Sequence, residues 1–265
     1  MRFAIASIVV AALVGCRQDN QDIKRELVEL HKEVQALRGQ TGRPAGPAQP
    51  QPRPPRPDPS KVYAVGIAGA PAVGPAAAPV TIVMAYEYAC PWCSRQRQPF
   101  AAVREAYGDD VRIVYRPFVV HEDAASDAAL AACAADRQGH FAEVSDALWT
   151  NVFEKRAFDR ASVERAAASV AGIDAARLRS DMDGECKGSV QRERAALLDL
   201  GVYATPALWV NGRPLGGFKT LEQLKPVIDE ELARARERIA AGTPRDAYYA
   251  EWVMKKGLRG LEAVN

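Results

Sequence analysis

The hydrophobic and polar positions divide the chain into segments of different character. An almost wholly apolar run, Phe3 to Val14, is followed by a polar segment with regularly spaced apolar residues. A proline-rich stretch, residues 39–60, comes next, and beyond it short apolar runs alternate with helical periodicities. Strand-like runs that alternate with helical patterns predict an α/β domain. We assign this domain to residues 61–241 and a helical tail to residues 242–265.

The opening apolar run is too short to cross a bilayer comfortably and is typical of the core of a secretion signal. Arg2 precedes it with a positive charge, and Leu13-Val14-Gly15-Cys16 ends it with a resemblance to a bacterial lipobox. The resemblance implies that residues 1–15 are removed and that Cys16 carries lipid. It predicts a protein anchored to a membrane on the periplasmic side of a cell envelope. The alternative is an ordinary secretion signal in which Cys16 is incidental.

Residues 16–38 carry apolar side chains at alternating steps of four and three, the a/d seam of a heptad repeat. In a parallel pair of such helices, Glu33 faces Arg38 and Glu26 faces His31, so the flanking charges are complementary. We therefore predict a lipid-anchored helix that joins copies of the chain through residues 19–38. A single amphipathic helix is the alternative, because helices this short are marginal alone. The seam residues are Ile23, Leu27, Leu30, Val34 and Leu37.

Residues 39–60 form a linker between this helix and the globular domain. Eight of the 18 prolines lie between Pro44 and Pro59. Such a run prefers extended polyproline II backbone and cannot bury a core. We expect a spacer; a recognition role is the alternative.

Inside the domain, the apolar run from Val80 to Tyr86 is typical of a buried central strand. It ends at Cys90-Pro91-Trp92-Cys93, a helical stretch follows, and Val111 to Tyr115 predicts a second strand. The alanine-rich residues 123–200 predict four or five helices without a strand. Later motifs complete the pattern: Ala207 to Val210 as a strand, Asn211-Gly212 as a hairpin turn, and Thr220 with Gln223 as a capping box.

Cys90 and Cys93 have the spacing and the position of a redox pair. Two cysteines separated by two residues can form a disulfide without straining the chain. A helix start offers free N–H groups and the positive end of the helix dipole, which favour the thiolate and lower the pKa of Cys90. A thiolate is the attacking species in disulfide exchange, and Cys93 would resolve the mixed disulfide. Pro91 suits the first helical position.

Other roles for these cysteines fit the sequence less well. A structural zinc ion needs four ligands, and the sequence has neither a second CxxC nor a close histidine pair, so we expect no metal and no cofactor. An inert structural disulfide is the stronger alternative, but a strand-to-helix turn is typical of a reactive CxxC. The formal net charge of +2 offers no basic field for nucleic acid.

Several motifs, in order along the chain, resemble the DsbA-like branch of the thioredoxin superfamily. The resemblance covers the chain from about Tyr63 to Leu232. It implies an α/β thioredoxin fold with a helical domain inserted at about 123–200, and a thiol–disulfide oxidoreductase that acts on exported cysteine-containing proteins. The matching motifs are Gly74-Pro75, Ala78 to Val83, Tyr88 to Cys93, Tyr107 to Arg112, Gly201 to Pro206, and Val210-Asn211-Gly212.

The resemblance also implies roles for individual residues. Cys90 and Cys93 are the expected catalytic pair. Pro206 would follow a cis peptide bond beside the CxxC, and the backbone of Thr205 would pair with an extended substrate segment. Cys133 and Cys186 match a structural disulfide of some members; two buried free thiols are the alternative. The expected substrate contacts are Pro91, Trp92, Thr205 and Pro206.

One position departs from the family pattern. Met84 stands where the family usually has a buried acid that helps to move protons to or from the resolving cysteine. Glu87 lies nearer the turn, and we expect it to be a solvent-exposed loop residue; the alternative is that it substitutes for the missing acid. The dipeptide Pro91-Trp92 lacks the histidine of strongly oxidising members, and His121 is expected to be solvated or to cap a helix.

Three functions compete on this evidence. We prefer a dithiol oxidase that is reoxidised by a quinone-linked membrane partner. A disulfide isomerase or reductase, with catalytic domains gathered by the heptad segment, is the alternative, because CxxC spacing does not determine the redox potential. A non-catalytic scaffold fits least well, since Cys90, Cys93 and Pro206 are all present.

Overall fold

The computed structural model describes residues 21–36 and 56–261, and the chain divides into two units, Met1–Arg53 and Pro54–Asn265. In the first unit, residues 21–36 form a helix, α1, whose side chains are all exposed. Its seam residues Ile23, Leu27, Leu30 and Val34 are between 40% and 63% exposed. Cys16, the apolar opening run and most of the linker lie outside the described residues. Among the helices of the described residues, none has the length and apolar character needed to cross a membrane.

The second unit contains a mixed sheet in the order β1-β3-β2-β4-β5. β2 and β3 are parallel, and the other neighbouring strands are antiparallel. The strands are β1 (Ala72–Val73), β2 (Val80–Tyr86), β3 (Val111–Pro117), β4 (Ala207–Val210) and β5 (Arg213–Gly216). The helices are α2 (Pro91–Tyr107), α3 (Glu122–Asp136), α4 (Phe141–Leu148), α5 (Arg160–Ala168), α6 (Ala175–Asp183), α7 (Glu185–Asp199) and α8 (Leu221–Ala240).

β2 is the central strand, and all seven of its residues are buried. Its alternate side chains enter two different cores, as the two-residue period of a strand requires. Ile82 and Met84 belong to one core cluster, whereas Val83 and Ala85 belong to the other. This burial on both faces explains why the strand is a continuous apolar run.

The polypeptide between β3 and β4 forms the helical insertion. α3 is its centre, in contact with α4, α5, α6 and α7. Most of its buried residues are alanines, whose small side chains let neighbouring helices approach closely. The larger apolar side chains of the insertion are fully buried, among them Leu148, Val152, Val163 and Leu197.

Local turn chemistry shapes the end of the sheet. Asn211 and Gly212 adopt φ values of 44° and 80°, the left-handed conformation that a tight hairpin turn requires. The Asn211 side chain accepts a hydrogen bond from the Thr81 N–H at 2.8 Å and donates one to the Pro79 carbonyl at 3.1 Å, tying the hairpin to the start of β2. The capping box of Thr220 and Gln223 then opens α8.

The tail packs against the beginning of the domain. The Tyr249 hydroxyl donates to the Val65 carbonyl at 2.7 Å, and Tyr63 forms a β-bridge with Leu258. Tyr248, Tyr249 and Val253 are buried. The tail therefore completes one face of the domain, a position that the sequence alone does not indicate.

Candidate active site

The CxxC lies where β2 ends and α2 begins. Cys90 is the N-cap residue of α2, and Pro91 occupies the first turn, where no N–H donor is needed. The Cys90 carbonyl accepts hydrogen bonds from the N–H groups of Cys93 and Ser94, at 3.1 and 3.2 Å, which start the helix. Cys90 and Cys93 are both free thiols, 5% and 0% exposed.

The Cys90 environment favours the thiolate. A hydrogen bond from the Cys93 thiol is the largest cause that lowers the pKa of Cys90 to about 6, against the opposing effect of burial. The Thr205 side chain and the backbone N–H groups of Cys93 and Trp92 contribute in the same direction. These N–H groups belong to the first turn of α2, so the helix start supplies part of the stabilisation.

Cys93 has the opposite character. Burial raises the pKa of the Cys93 thiol far above its ordinary value, and the neighbouring Cys90 raises it further. At neutral pH, Cys93 is therefore protonated while Cys90 is a thiolate. This difference suits Cys90 to exchange with another protein and Cys93 to hold a proton inside the fold.

The segment before β4 approaches Cys90 closely. The Thr205–Pro206 peptide bond is cis, and the Cys90 sulfur lies 3.3 Å from the Thr205 carbonyl oxygen. Thr205 and Pro206 also line a cleft of about 450 Å³ together with the exposed Tyr203. The fold thus brings Cys90, Cys93, Thr205 and Pro206 to one place, although 115 positions separate Cys90 from Thr205.

Trp92 presents an aromatic surface beside the cysteines. Its side chain is 49% exposed, its ring lies 5.5 Å from that of Phe218, and the Arg95 guanidinium lies 4.9 Å above it. An exposed tryptophan held by an aromatic and a cationic neighbour is a suitable contact for apolar side chains of another polypeptide.

Glu87 does not lie where we expected. The prediction of a solvent-exposed loop residue is wrong, because Glu87 is 1% exposed. Its carboxylate accepts hydrogen bonds from the N–H groups of Val120 and His121, at 2.6 and 2.9 Å, and it pairs with Nδ1 of His121. These donors compensate for the loss of water around the buried carboxylate. Met84, at the position of the family's acid, is buried among apolar residues.

The other predicted cysteine pair is bonded within the helical insertion. A disulfide joins Cys133 of α3 to Cys186 of α7, with the two Cα atoms 5.8 Å apart. Within residues 21–36 and 56–261, no group of three or more His, Cys, Asp or Glu side chains is placed to hold a metal ion.

Two buried polar arrangements near the CxxC are not indicated by the sequence. One is the Glu87–His121 pair. The other is a chain of hydroxyl groups, in which Tyr86 donates to Tyr88 at 3.4 Å and Tyr88 donates to Ser145 at 2.9 Å. The partners of Glu87 and Tyr88 lie 34 and 57 positions away, so no local pattern reveals them. The one sign in the sequence is the position of Glu87, an acidic residue between a buried strand and a turn.

The fold and the site define a thiol–disulfide oxidoreductase of the thioredoxin superfamily. A protein-family model described as Thioredoxin matches residues 68–230, and the chain belongs to this family. The predicted α/β thioredoxin fold with a helical insertion is confirmed. The predicted enzyme class, a thiol–disulfide oxidoreductase, is confirmed as well.

Among solved structures, the chain is similar to a thioredoxin-like oxidoreductase from Silicibacter pomeroyi DSS-3, with 29% identity and a TM-score of 0.54 over 64% of this chain and 94% of that one. BdbD from Bacillus subtilis shares 23% identity, with a TM-score of 0.57 over 65% of this chain and 98% of its own.

A curated relative is a Na⁺/H⁺ antiporter, NhaA, of Herminiimonas arsenicoxydans, which is 32% identical over 157 residues. The match covers 59% of this chain and 24% of the antiporter. The chain therefore spans about a quarter of the length of the relative it matches.

Proposed function

We propose that the protein is a cell-envelope dithiol oxidase that passes a Cys90–Cys93 disulfide to exported proteins. The observation that carries this proposal is the difference between the two thiols: the pKa of Cys90 is lowered to about 6, whereas burial raises the pKa of Cys93. Stabilisation of the Cys90 thiolate favours the reduced enzyme, and a thiol of low pKa is a good leaving group. Both effects favour transfer of the disulfide to a substrate.

The reaction balances with the groups at this site. A substrate thiolate attacks the Cys90 sulfur, the Cys90–Cys93 bond breaks, and Cys93 leaves and takes up a proton. A second substrate thiolate then attacks the substrate sulfur of the mixed disulfide, and Cys90 leaves as a thiolate. Two electrons pass from the substrate to the enzyme. Of the two protons that the substrate loses, one is on Cys93 and the other enters water.

Substrate binding is proposed along the 201–206 segment and the start of α2. The backbone of Thr205 would pair with an extended substrate segment, because its carbonyl lies 3.3 Å from the Cys90 sulfur. Pro206 follows Thr205 in this segment, and we expect Pro91 and Trp92, which follow Cys90 at the start of α2, to contact the substrate as well. The exposed aromatic surfaces of Trp92 and Tyr203 favour apolar substrate residues near the reacting cysteine.

Export and anchoring rest on the sequence before the helix α1. The apolar run from Phe3 to Val14 and the lipobox-like residues before Cys16 support a lipid anchor on the periplasmic side of a membrane. There, a quinone-linked membrane partner would reoxidise the enzyme.

Membrane fractionation tests the anchor: wild-type protein should sediment with membranes and Cys16→Ser protein should not. Equal release of both proteins would contradict it.

A glutathione redox titration of the purified full chain tests the oxidase function. A potential well above that of thioredoxin, in the direction of the about −120 mV of a strong oxidant, is expected, together with oxidation of a reduced two-cysteine peptide. Cys90→Ser protein is the control for background oxidation. A potential near about −270 mV, as in thioredoxin, would contradict the oxidase and indicate a reductase.

A disulfide isomerase is the second candidate, because α1 exposes an apolar seam that a second copy would cover. Sedimentation of the full chain tests it, with Leu30→Glu as the disrupting change and Val28→Glu as the matched control. Val28 is also exposed, at 55%, but it lies off the heptad seam. Loss of an oligomer in Leu30→Glu alone, with reshuffling of scrambled disulfides by wild type, would favour the isomerase.

A further inference from the structure

A buried carboxylate and an exposed imidazole lie next to the CxxC turn. The Glu87 side chain is fully buried, whereas the His121 side chain is 62% exposed. The Glu87 carboxylate accepts the N–H groups of Val120 and His121 and pairs with the His121 ring. Glu87 therefore fixes both the backbone and the ring of His121, at the residue that precedes α3.

This pair is tied to the Cys90 turn by several contacts. The Cys90 N–H donates to the Glu87 carbonyl at 3.4 Å, and the Phe118 N–H donates to the Tyr86 carbonyl at 2.8 Å. Ala89, the residue before Cys90, packs against the apolar cluster that contains Val119. The loop that carries His121 thus lies directly against the turn that carries Cys90.

We propose that His121, held by Glu87, is a positioning residue whose positive charge stabilises the Cys90 thiolate and makes the disulfide a stronger oxidant. The second part rests on the proposed oxidase function. Reduction of the disulfide creates a thiolate in the turn that packs against the loop of His121, so a charged imidazole stabilises the reduced enzyme more than the oxidised one. Because such coupling is reciprocal, the thiolate also favours the protonated imidazole.

The charges around the loop support this assignment. The hydrogen bond to Glu87 is the largest cause that raises the pKa of His121, and the charge of Cys90 raises it as well. Glu122 and Asp123 follow His121 in the first turn of α3 and also favour a protonated ring. Arg194 of α7, which donates to the Val119 carbonyl at 3.3 Å, is positively charged and opposes protonation of the His121 ring. Since the ring is exposed, we expect an effect of moderate size.

The test is the pH dependence of Cys90 alkylation and of thiolate absorbance in the reduced full chain. His121→Gln should raise the pKa of Cys90 and slow alkylation near pH 6 about two- to fivefold, since a nearby opposite charge lowers a pKa. His121→Arg retains a positive charge and should restore the wild-type rate. The matched control is His140→Gln, because His140 precedes α4 and makes no contact with Glu87 among the interactions of the described residues. This control should behave as wild type.

The redox consequence is measured separately. The equilibrium with glutathione should shift about two- to fivefold toward the disulfide in His121→Gln, or about 10–20 mV at 30 mV per tenfold change. The NMR titration of the His121 ring should show a higher pKa in reduced than in oxidised protein, and a lower one in Glu87→Gln. The His121 side chain is exposed, and Glu87 keeps its two backbone donors in His121→Gln, so we expect this variant to fold.

Two outcomes would overturn the inference: unchanged Cys90 titration in His121→Gln, or failure of His121→Arg to restore it. Neither measurement requires turnover. If wild type oxidises peptides but His121→Gln titrates as wild type, this inference alone fails. If the titration shifts as expected but wild type oxidises no substrate, the oxidase function fails, and the stabilisation of the thiolate stands.

Discussion

The chain contains two pairs of cysteines that differ in almost every physical respect. Cys90 and Cys93 are free thiols, separated by two residues, at the junction of β2 and α2. Cys133 and Cys186 are bonded across 53 positions and join α3 to α7. Cys186 is the second residue of α7, so a place near a helix N-terminus does not by itself make a cysteine reactive.

The difference lies in what surrounds each sulfur. Cys90 lies beside Thr205, a residue that lines a cleft of about 450 Å³, and hydrogen bonds lower the pKa of Cys90 to about 6. Cys186 is fully buried against apolar residues and is held by its bond to Cys133. Access for a partner together with donors for the anion distinguishes an exchanging sulfur from a structural one.

The largest expected effect is the loss of disulfide transfer in Cys90→Ser. Serine can form neither the Cys90–Cys93 disulfide nor the mixed disulfide with a substrate, and Cys93 is buried, so the rate of peptide oxidation should fall at least about 10³-fold. The double variant Cys133→Ala with Cys186→Ala is the matched control and should retain transfer. Transfer that survives in Cys90→Ser would show that the chemistry lies elsewhere.

That double variant should instead lose stability. A bridge across 53 positions contributes about 4 kcal/mol to the free energy of unfolding in the chain-entropy account. Urea unfolding at neutral pH measures the loss, with Cys90→Ser plus Cys93→Ser as the control that retains the bridge. A loss below about 1 kcal/mol would mean that the bridge adds little to the helix packing around it.

Alkylation of the reduced protein should distinguish the two active-site thiols by pH. With the pKa of Cys90 at about 6, the thiolate fraction, and hence the alkylation rate, should fall about tenfold between pH 7 and pH 5. Cys93 should not react in this range, because burial raises its pKa. Mass spectrometry of the labelled peptides identifies the site. An alkylation rate that already falls as pH drops through 8 to 9, as it does for an ordinary thiol, would contradict the lowered pKa.

Ionisation of Cys90 should have a smaller effect, on the stability of the folded reduced chain. The pKa of Cys90 is lower in the folded chain than its ordinary value of 9.0, so thiolate formation stabilises the folded state as pH rises above about 6. This contribution is complete above about pH 9 and is lost as pH falls through about 6. The stability of the reduced chain, relative to Cys90→Ser, should therefore increase between pH 6 and 9. Parallel curves for the two proteins would contradict it.

Much of the fold follows from local patterns. The apolar run of β2, the inward faces of the insertion helices and the Asn211-Gly212 turn each result from residues close together in sequence. The Cys90 pKa was also predictable in direction, because the helix start lies in the next residues.

The features that we did not predict depend on contacts between distant residues. Glu87 is buried because its hydrogen-bond donors come from the loop around His121. The hydroxyl chain from Tyr86 through Tyr88 needs Ser145 of α4. The docking of the tail depends on a tyrosine 184 positions from its carbonyl partner. A polar residue's burial is decided by partners that only the completed fold provides.

The bridge between Tyr63 and Leu258 has a practical consequence for the boundaries of the catalytic unit. Truncation after α8 would expose Val65 and leave its carbonyl without the Tyr249 hydroxyl, so a shortened protein should expose new apolar surface and aggregate more readily. Gly257 is confined in the same junction, where an added Cβ would come within 2.6 Å of the Ala64 nitrogen. The beginning and the end of the domain thus pack against each other, and a shortened form of the protein should retain both.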